Sequence, residues 1–267
     1  MTGNETAARA YRMDLTIAEC ISAVRRAGED LALAAARTSL DAPIPTCPAW
    51  RLRDLLRHLG GVHRWATTYV ATGRMQAMDA REEEALMASW PADNSALLEW
   101  LRAGHTALVQ ALEAAPPDLA CWTFLPAPSP LAFWARRQAH ETGIHRADVE
   151  SASGAISAFA PAVAADGIDE LLYGFVSRPG GTLRADPPQA LRLHATDSKR
   201  AWHVCIGPTG VVVRDGTAGE DADVTVRGRA SDLYLLLWNR GSTDTLAVDG
   251  AAALLDVWRQ SVRVRWS

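Results

Sequence analysis

Residues 131–151, LAFWARRQAHETGIHRADVES, follow the proline-rich turn PAPSP at 126–130 and read as one long helix. It opens apolar, and halfway along, the stripe through Leu131, Trp134 and Gln138 turns ionisable at Glu141, His145 and Asp148. Residues three and four apart stack on one helical face, so these three side chains share a line. The segment is a near miss to the HExxH zinc-protease signature. His140 and His145 are five apart, about 140° around the helix, and cannot face one ion. A helix bundle does not normally bury Glu, His and Asp in a row, because buried carboxylates cost several kcal/mol unless paired or metal-bound. The row either faces water as a local ion pair or holds a cation.

Outward from this segment, helical spacing recurs in three earlier stretches. A first helix runs from Asp14 to about Leu40, ended by Pro43, Pro45 and Pro48. A second runs from Trp50 to about Thr72 with two adjacent stripes, one carrying His58 and the other His63. A third runs from about Ser95 to Ala115, before Pro116 and Pro117. Four such helices predict an up-down-up-down bundle with any site between facing helices. A third ligand to join Glu141 and His145 would come from the second helix, and periodicity does not choose between His58 and His63. His140 falls off the ligand stripe, to the outside or behind the ligands. His105, His194 and His203 have no companions at helical spacing.

The second half changes character. Residues 168–176 can form another helix, SRPGG breaks the chain, and ALRLHAT, AWHVCIG, GVVVRDG and ADVTVRG alternate as short strands, expected as an antiparallel meander. Helical patterns at 231–239 and 250–260 precede a last expected strand, SVRVRW. The expected fold class is thus α plus α+β: a bundle over residues 1–158 and a small α+β domain over 159–267.

Composition narrows function. The 267 residues are 48% apolar and 22% charged, enough for a substantial core, which excludes disorder. The net charge is −4 and the 27 basic residues are scattered, so no stripe for nucleic acid emerges. No stretch is apolar enough to span a bilayer and MTGNETAARA lacks a signal-peptide pattern, so a cytoplasmic location is expected, with no membrane partner. Cys20, Cys47, Cys121 and Cys205 are far apart, without a CxxC pair. They read as small buried residues rather than disulfides, ligands or a nucleophile.

Taken together, CPAWRLRDLLRHLGGVHRWA at 47–66 and RRQAHETGIHRADVE at 136–150 resemble the N-terminal metal-binding domain of the mycothiol-dependent maleylpyruvate isomerase family, a branch of the DinB-like four-helix bundles. DADVTVRGRASDLYLLLWNRG at 221–241 resembles that family's second, sterol-carrier-like domain. The resemblance implies a divalent ion, usually zinc, held by His58, Glu141 and His145. It also implies a carboxylate-binding residue in the second domain, for which Arg240 is the candidate, with Arg229 behind it.

Three N and O ligands leave a coordination position open, the pattern of a catalytic zinc site. Zinc deprotonates a bound thiol, and since no cysteine here is placed to be the nucleophile, the thiol is expected from a cosubstrate, which the family resemblance implies is mycothiol. The activity implied is isomerisation of a maleylpyruvate-like acid, by reversible thiolate addition to its double bond, or S-transfer to another small electrophile. Metal-dependent hydrolysis and noncatalytic ligand binding are the alternatives. Asp148, next along the ligand face, is placed to orient His145 or pair with an arginine.

Overall fold

The computed structural model describes residues 13–216 and 221–263. These residues form two compact units, 15–157 and 158–263, with Asp14 joined to the second through an ion pair to Arg200.

The first unit is a four-helix bundle with one short extra helix. Its elements are α1 (Ile17–Ala35), α2 (Leu52–Thr72), α3 (Ala80–Met87), α4 (Leu97–Ala114) and α5 (Pro130–Ser151). α1 starts at a capping box in which Thr16 accepts from the Glu19 backbone and Glu19 answers the Thr16 backbone. Ser129 caps α5, and Pro130 fills its first turn, where a missing N–H does no harm.

The connectivity differs from the expected up-down-up-down order. Along α2 and α4, Arg57 bonds Asn94 just before α4, Gly60 lies under the Trp100 ring, and Arg64 lies against Gly104, so these two helices run parallel. Against α5, His58 meets His145 while Trp65 meets Trp134, so α2 and α5 are antiparallel. Arg25 pairs with Glu113 and Gly28 abuts His105, so α1 and α4 are antiparallel too. The order is therefore up-down-down-up. The reason lies in the link between α2 and α4. α2 is about 32 Å long at 1.5 Å per residue, and residues 73–96, with α3 among them, are long enough to return the chain to the end where α2 began. α3 itself went unpredicted, although Asp79 and Glu82 spell a capping box at its start.

Apolar clusters close the bundle on both sides of the α2–α5 contact. Leu52, Leu55, Leu56 and Leu59 pack with Leu31, Leu97, Leu101 and Val149 at one end. Trp65, Tyr69, Trp122, Phe124 and Trp134 form an aromatic cluster at the other, with Tyr69 and Trp134 stacked at 5.0 Å. Close approach of α2 and α4 depends on Gly60, where a Cβ would sit 2.0 Å from the Trp100 ring.

The second unit holds α6 (Pro161–Asp169), which continues as a π-helical turn over Glu170–Val176, then β1 (Gln189–Ala195), β2 (Ala201–Gly207), β3 (Gly210–Asp215), β4 (Val224–Gly228), α7 (Ala230–Leu237), β5 (Ala247–Gly250) and α8 (Ala253–Ser261). The expected meander is corrected. The strand order is β3-β2-β1-β4-β5, and β4 runs parallel to β1, so the sheet is mixed. Alternation of Leu191, Leu193, Trp202, Val204, Val224 and Val226 fixes which face is buried, but it carries no information on which strand lies beside which. β5 was not anticipated. Of the expected last strand, Ser261 ends α8, Val262 and Arg263 are not in a strand, and residues 264–267 lie outside the described residues. Among the described residues no helix is long and apolar enough to cross a membrane.

Candidate metal centre

α5 carries no single polar face: every residue from Leu131 to Glu150 is buried. A helix of this composition cannot be buried all round unless its charges are met, and the stripe Glu141, His145, Asp148 shows how three of them are. Because α2 and α5 run antiparallel, His58 on the first half of α2 falls opposite the second half of α5. His58 Nε2 lies 3.4 Å from Glu141 Oε1, and His145 Nε2 lies 3.3 Å from the same oxygen. Their donor atoms all fall within 4.8 Å of one another.

The two separations to Glu141 Oε1 match the spacing of donors around a small divalent cation and are longer than a closed ion pair. Charge-assisted N–H···O⁻ bonds close to about 2.7–2.9 Å, as the neighbouring His145–Asp148 bond does at 2.9 Å. Ligand atoms about 2.0–2.2 Å from a tetrahedral zinc stand roughly 3.3–3.5 Å apart. The donor set, two imidazole nitrogens and one carboxylate oxygen, is that of a zinc site with a position left for water or substrate.

The surrounding groups orient His145 and Glu141. His145 Nδ1 bonds Asp148 Oδ2, so Nε2 is the nitrogen turned to Glu141 and His58. Asp148 is fully buried and is itself held by the Thr46 hydroxyl at 2.6 Å, with the Cys47 thiol at 3.6 Å. Arg137, one turn before Glu141, donates to Glu141 Oε2 at 3.0 Å and leaves Oε1 to the histidines. The Trp50 ring stacks at 23° on His145 and lies 5.0 Å from His58, walling both imidazoles.

Electrostatics follow from this packing. Burial pushes the Glu141 carboxyl up, but hydrogen bonds from His145 and His58 and the charges of His145 and Arg137 outweigh it and hold the group well below its ordinary range. Burial likewise opposes charging His145, yet Asp148 and Glu141 together raise its pKa to about 9.

Of the residues singled out in the sequence, the structure gathers His58, Glu141 and His145, with Asp148 behind His145. His63 turns elsewhere: it is buried, its Nε2 is 3.0 Å from the Thr142 hydroxyl, and burial and then His105 hold its pKa well below 6.5. His140, expected outside or behind the ligands, is buried and is not among the three gathered donors. His105 bonds the Val24 carbonyl, and His203 the Asp221 carbonyl. Arg240 belongs to the second unit, in the turn after α7, where its Nη1 donates to the Trp238 carbonyl. Arg229 precedes α7 as its N-cap residue.

All four cysteines are free. Cys20 and Cys121 are buried as expected, while Cys47 and Cys205 are half-buried. Thr46, Cys47, Trp50 and Arg137 went unremarked as site residues. The one signal available was that CPAW leads directly into the helix bearing His58.

A family model described as the mycothiol maleylpyruvate isomerase N-terminal domain matches residues 21–150, and one described as the C-terminal domain of the same family matches 162–256. The chain belongs to the mycothiol-dependent maleylpyruvate isomerase family. It is an enzyme of that family, with the family's DinB-like bundle.

Two solved structures of a mycothiol-dependent maleylpyruvate isomerase share the fold. The unmodified protein is 15% identical with a TM-score of 0.60, and a histidine-to-alanine mutant is 14% identical with a TM-score of 0.61. In both, the similarity covers 88% of this chain and 93% of the other. No curated protein matches.

Within this family member the Asp148 bond gives a direct expectation. Asp148→Asn keeps the shape but can present its amide to His145 Nδ1 instead of an acceptor oxygen. Above pH 9, where His145 carries no competing proton in either protein, zinc affinity should fall about 10- to 100-fold, as for other partners that orient metal-binding histidines, and competition titration with a chromophoric chelator measures it. An unchanged affinity would remove Asp148 from the site.

Proposed function

We propose that the protein is a metal-dependent, thiol-utilising enzyme, a mycothiol-dependent isomerase or S-transferase acting on a small electrophile such as a maleylpyruvate-like acid. The observation that carries the reading is the convergence of His58, Glu141 and His145 on one point, in a chain whose family is defined by a thiol cosubstrate. His58 Nε2, Glu141 Oε1 and His145 Nε2 would hold the ion, zinc or another divalent metal. When bound, such an ion supplies Lewis acidity that lowers the pKa of a thiol well below its free value of about 8.5, making the nucleophilic thiolate available at neutral pH.

The chain's own residues prepare for this. Asp148 fixes the imidazole of His145 so that Nε2 faces inward. Arg137 and the histidines keep Glu141 ionised, so a negative donor oxygen is ready at any physiological pH. Trp50 covers one side of both rings and keeps water from that side. Arg240 is proposed to bind a substrate carboxylate, a role suited to a guanidinium fork.

The test is turnover by zinc-loaded protein of maleylpyruvate and a panel of small electrophiles, with and without mycothiol. Turnover that needs both metal and thiol is expected. Substrate consumption with zinc and no thiol would replace this reading with hydrolysis, and none under any condition with full zinc occupancy would favour a binding protein.

A further inference from the structure

We propose that Arg137 is a positioning residue that confines Glu141 to a single donor oxygen and cancels its charge at the metal centre. The inference rests on the reading above that His58, Glu141 and His145 hold a divalent cation. It starts from how the two oxygens of one carboxylate are divided. Oε1 faces His58 Nε2 and His145 Nε2, at 3.4 and 3.3 Å, while Oε2 takes a 3.0 Å bond from Arg137 Nη2. Carboxylates bind cations through one oxygen or two, and what their second oxygen is doing decides between these modes. Here it is engaged by a guanidinium with no exposed surface, on the preceding turn of the same rigid helix.

The geometry has a second consequence, in charge. With two neutral imidazoles, Glu141 at −1, Arg137 at +1 and Asp148 at −1 behind His145, the protein contributes one negative charge where the same groups without the arginine would contribute two, so a bound divalent ion would keep more of its positive charge toward whatever enters the open position. A centre of that kind is a stronger Lewis acid, and holds anionic groups more tightly, than the same three ligands without the arginine. Part of the protein's affinity for the cation is given up in return, since a fixed positive charge stands one carboxylate away.

Cobalt(II) in place of zinc tests this with a readout apart from turnover, because four-coordinate cobalt absorbs visible light much more strongly than five-coordinate cobalt. Wild-type protein is expected to take up one cobalt with the intense four-coordinate band. Arg137→Met should release Oε2, weaken that band as Glu141 adds its second oxygen, and bind cobalt about tenfold more tightly. Arg137→Lys, which keeps the charge and one donor, should retain the wild-type band with affinity within about threefold.

A merely structural role predicts the opposite sign for Arg137→Met, weaker binding with an unchanged band, and that result overturns the inference while leaving the metal reading intact. A five-coordinate spectrum in the wild-type protein overturns it without any variant. Failure of the metal reading is separately visible, as no cobalt uptake by wild type or equal uptake by Glu141→Gln.

Discussion

Substituting Glu141 with glutamine is expected to reduce bound zinc from about one equivalent per chain to about a tenth or less, and turnover by at least about 10³-fold, with the fold intact. The reasoning is one of charge and donor type. The amide is nearly the shape of the carboxylate and can still accept from Arg137 through its oxygen, so the α2–α5 contact survives. What is lost is the negative oxygen shared by the two imidazoles.

Glu141→Ala is the harsher test, because it leaves Arg137 buried without the Glu141 oxygen, and removing one partner of a buried ion pair costs about 3–5 kcal/mol. The alanine variant should therefore lose metal and melt earliest, whereas the glutamine variant, which keeps the bond to Arg137 but not the charge, should lose metal and melt between it and the metal-free wild type. Elemental analysis with thermal melts separates them. Stoichiometric zinc in Glu141→Gln would sink the ligand assignment.

How much of this was legible beforehand differs between the parts. The line Glu141, His145, Asp148 could be read because helix periodicity is rigid: i, i+4 and i+7 share a face whatever the helix packs against. The same periodicity could not choose between His58 and His63, since both border the buried face of α2. What decides is the direction and offset of α2 against α5, which set His58 beside Glu141 and send His63 to Thr142. That offset is a tertiary quantity, as are the parallel α2 and α4 and the place of β4 beside β1.

Trp50, Thr46 and Cys47 were missed for a related reason. They lie in the irregular stretch before α2, where no period exists to assign a face, and they reach Asp148 and His145 across about 100 residues of chain. Arg137 was missed because its i, i+4 partnership with Glu141 reads, from sequence, like any surface ion pair. Only its burial makes it a constituent of the site.

Zinc affinity is expected to rise about tenfold for each pH unit between pH 6 and 9 and to level off above, with close to one proton released from His145 on binding at pH 7. The metal needs the lone pair on His145 Nε2, and in the metal-free protein that nitrogen carries a proton up to about pH 9 because Asp148 and Glu141 favour the imidazolium. Glu141, held well below its ordinary range, is already ionised and contributes no proton.

The same raised pKa has the reverse effect on folding. A histidine whose pKa is higher in the folded chain adds stability that is fully present below about 6.5 and is lost as pH rises through about 9. Metal-free protein should therefore lose up to about 3 kcal/mol over the interval in which zinc binding strengthens. Calorimetric titrations in buffers of different ionisation enthalpy count the protons, and denaturant melts of the metal-free protein follow the stability. If affinity and metal-free stability rose together with pH, His145 would not be the proton-carrying ligand. In Asp148→Asn the pH dependence should shift to lower pH, because one of the two carboxylates that hold the proton is gone.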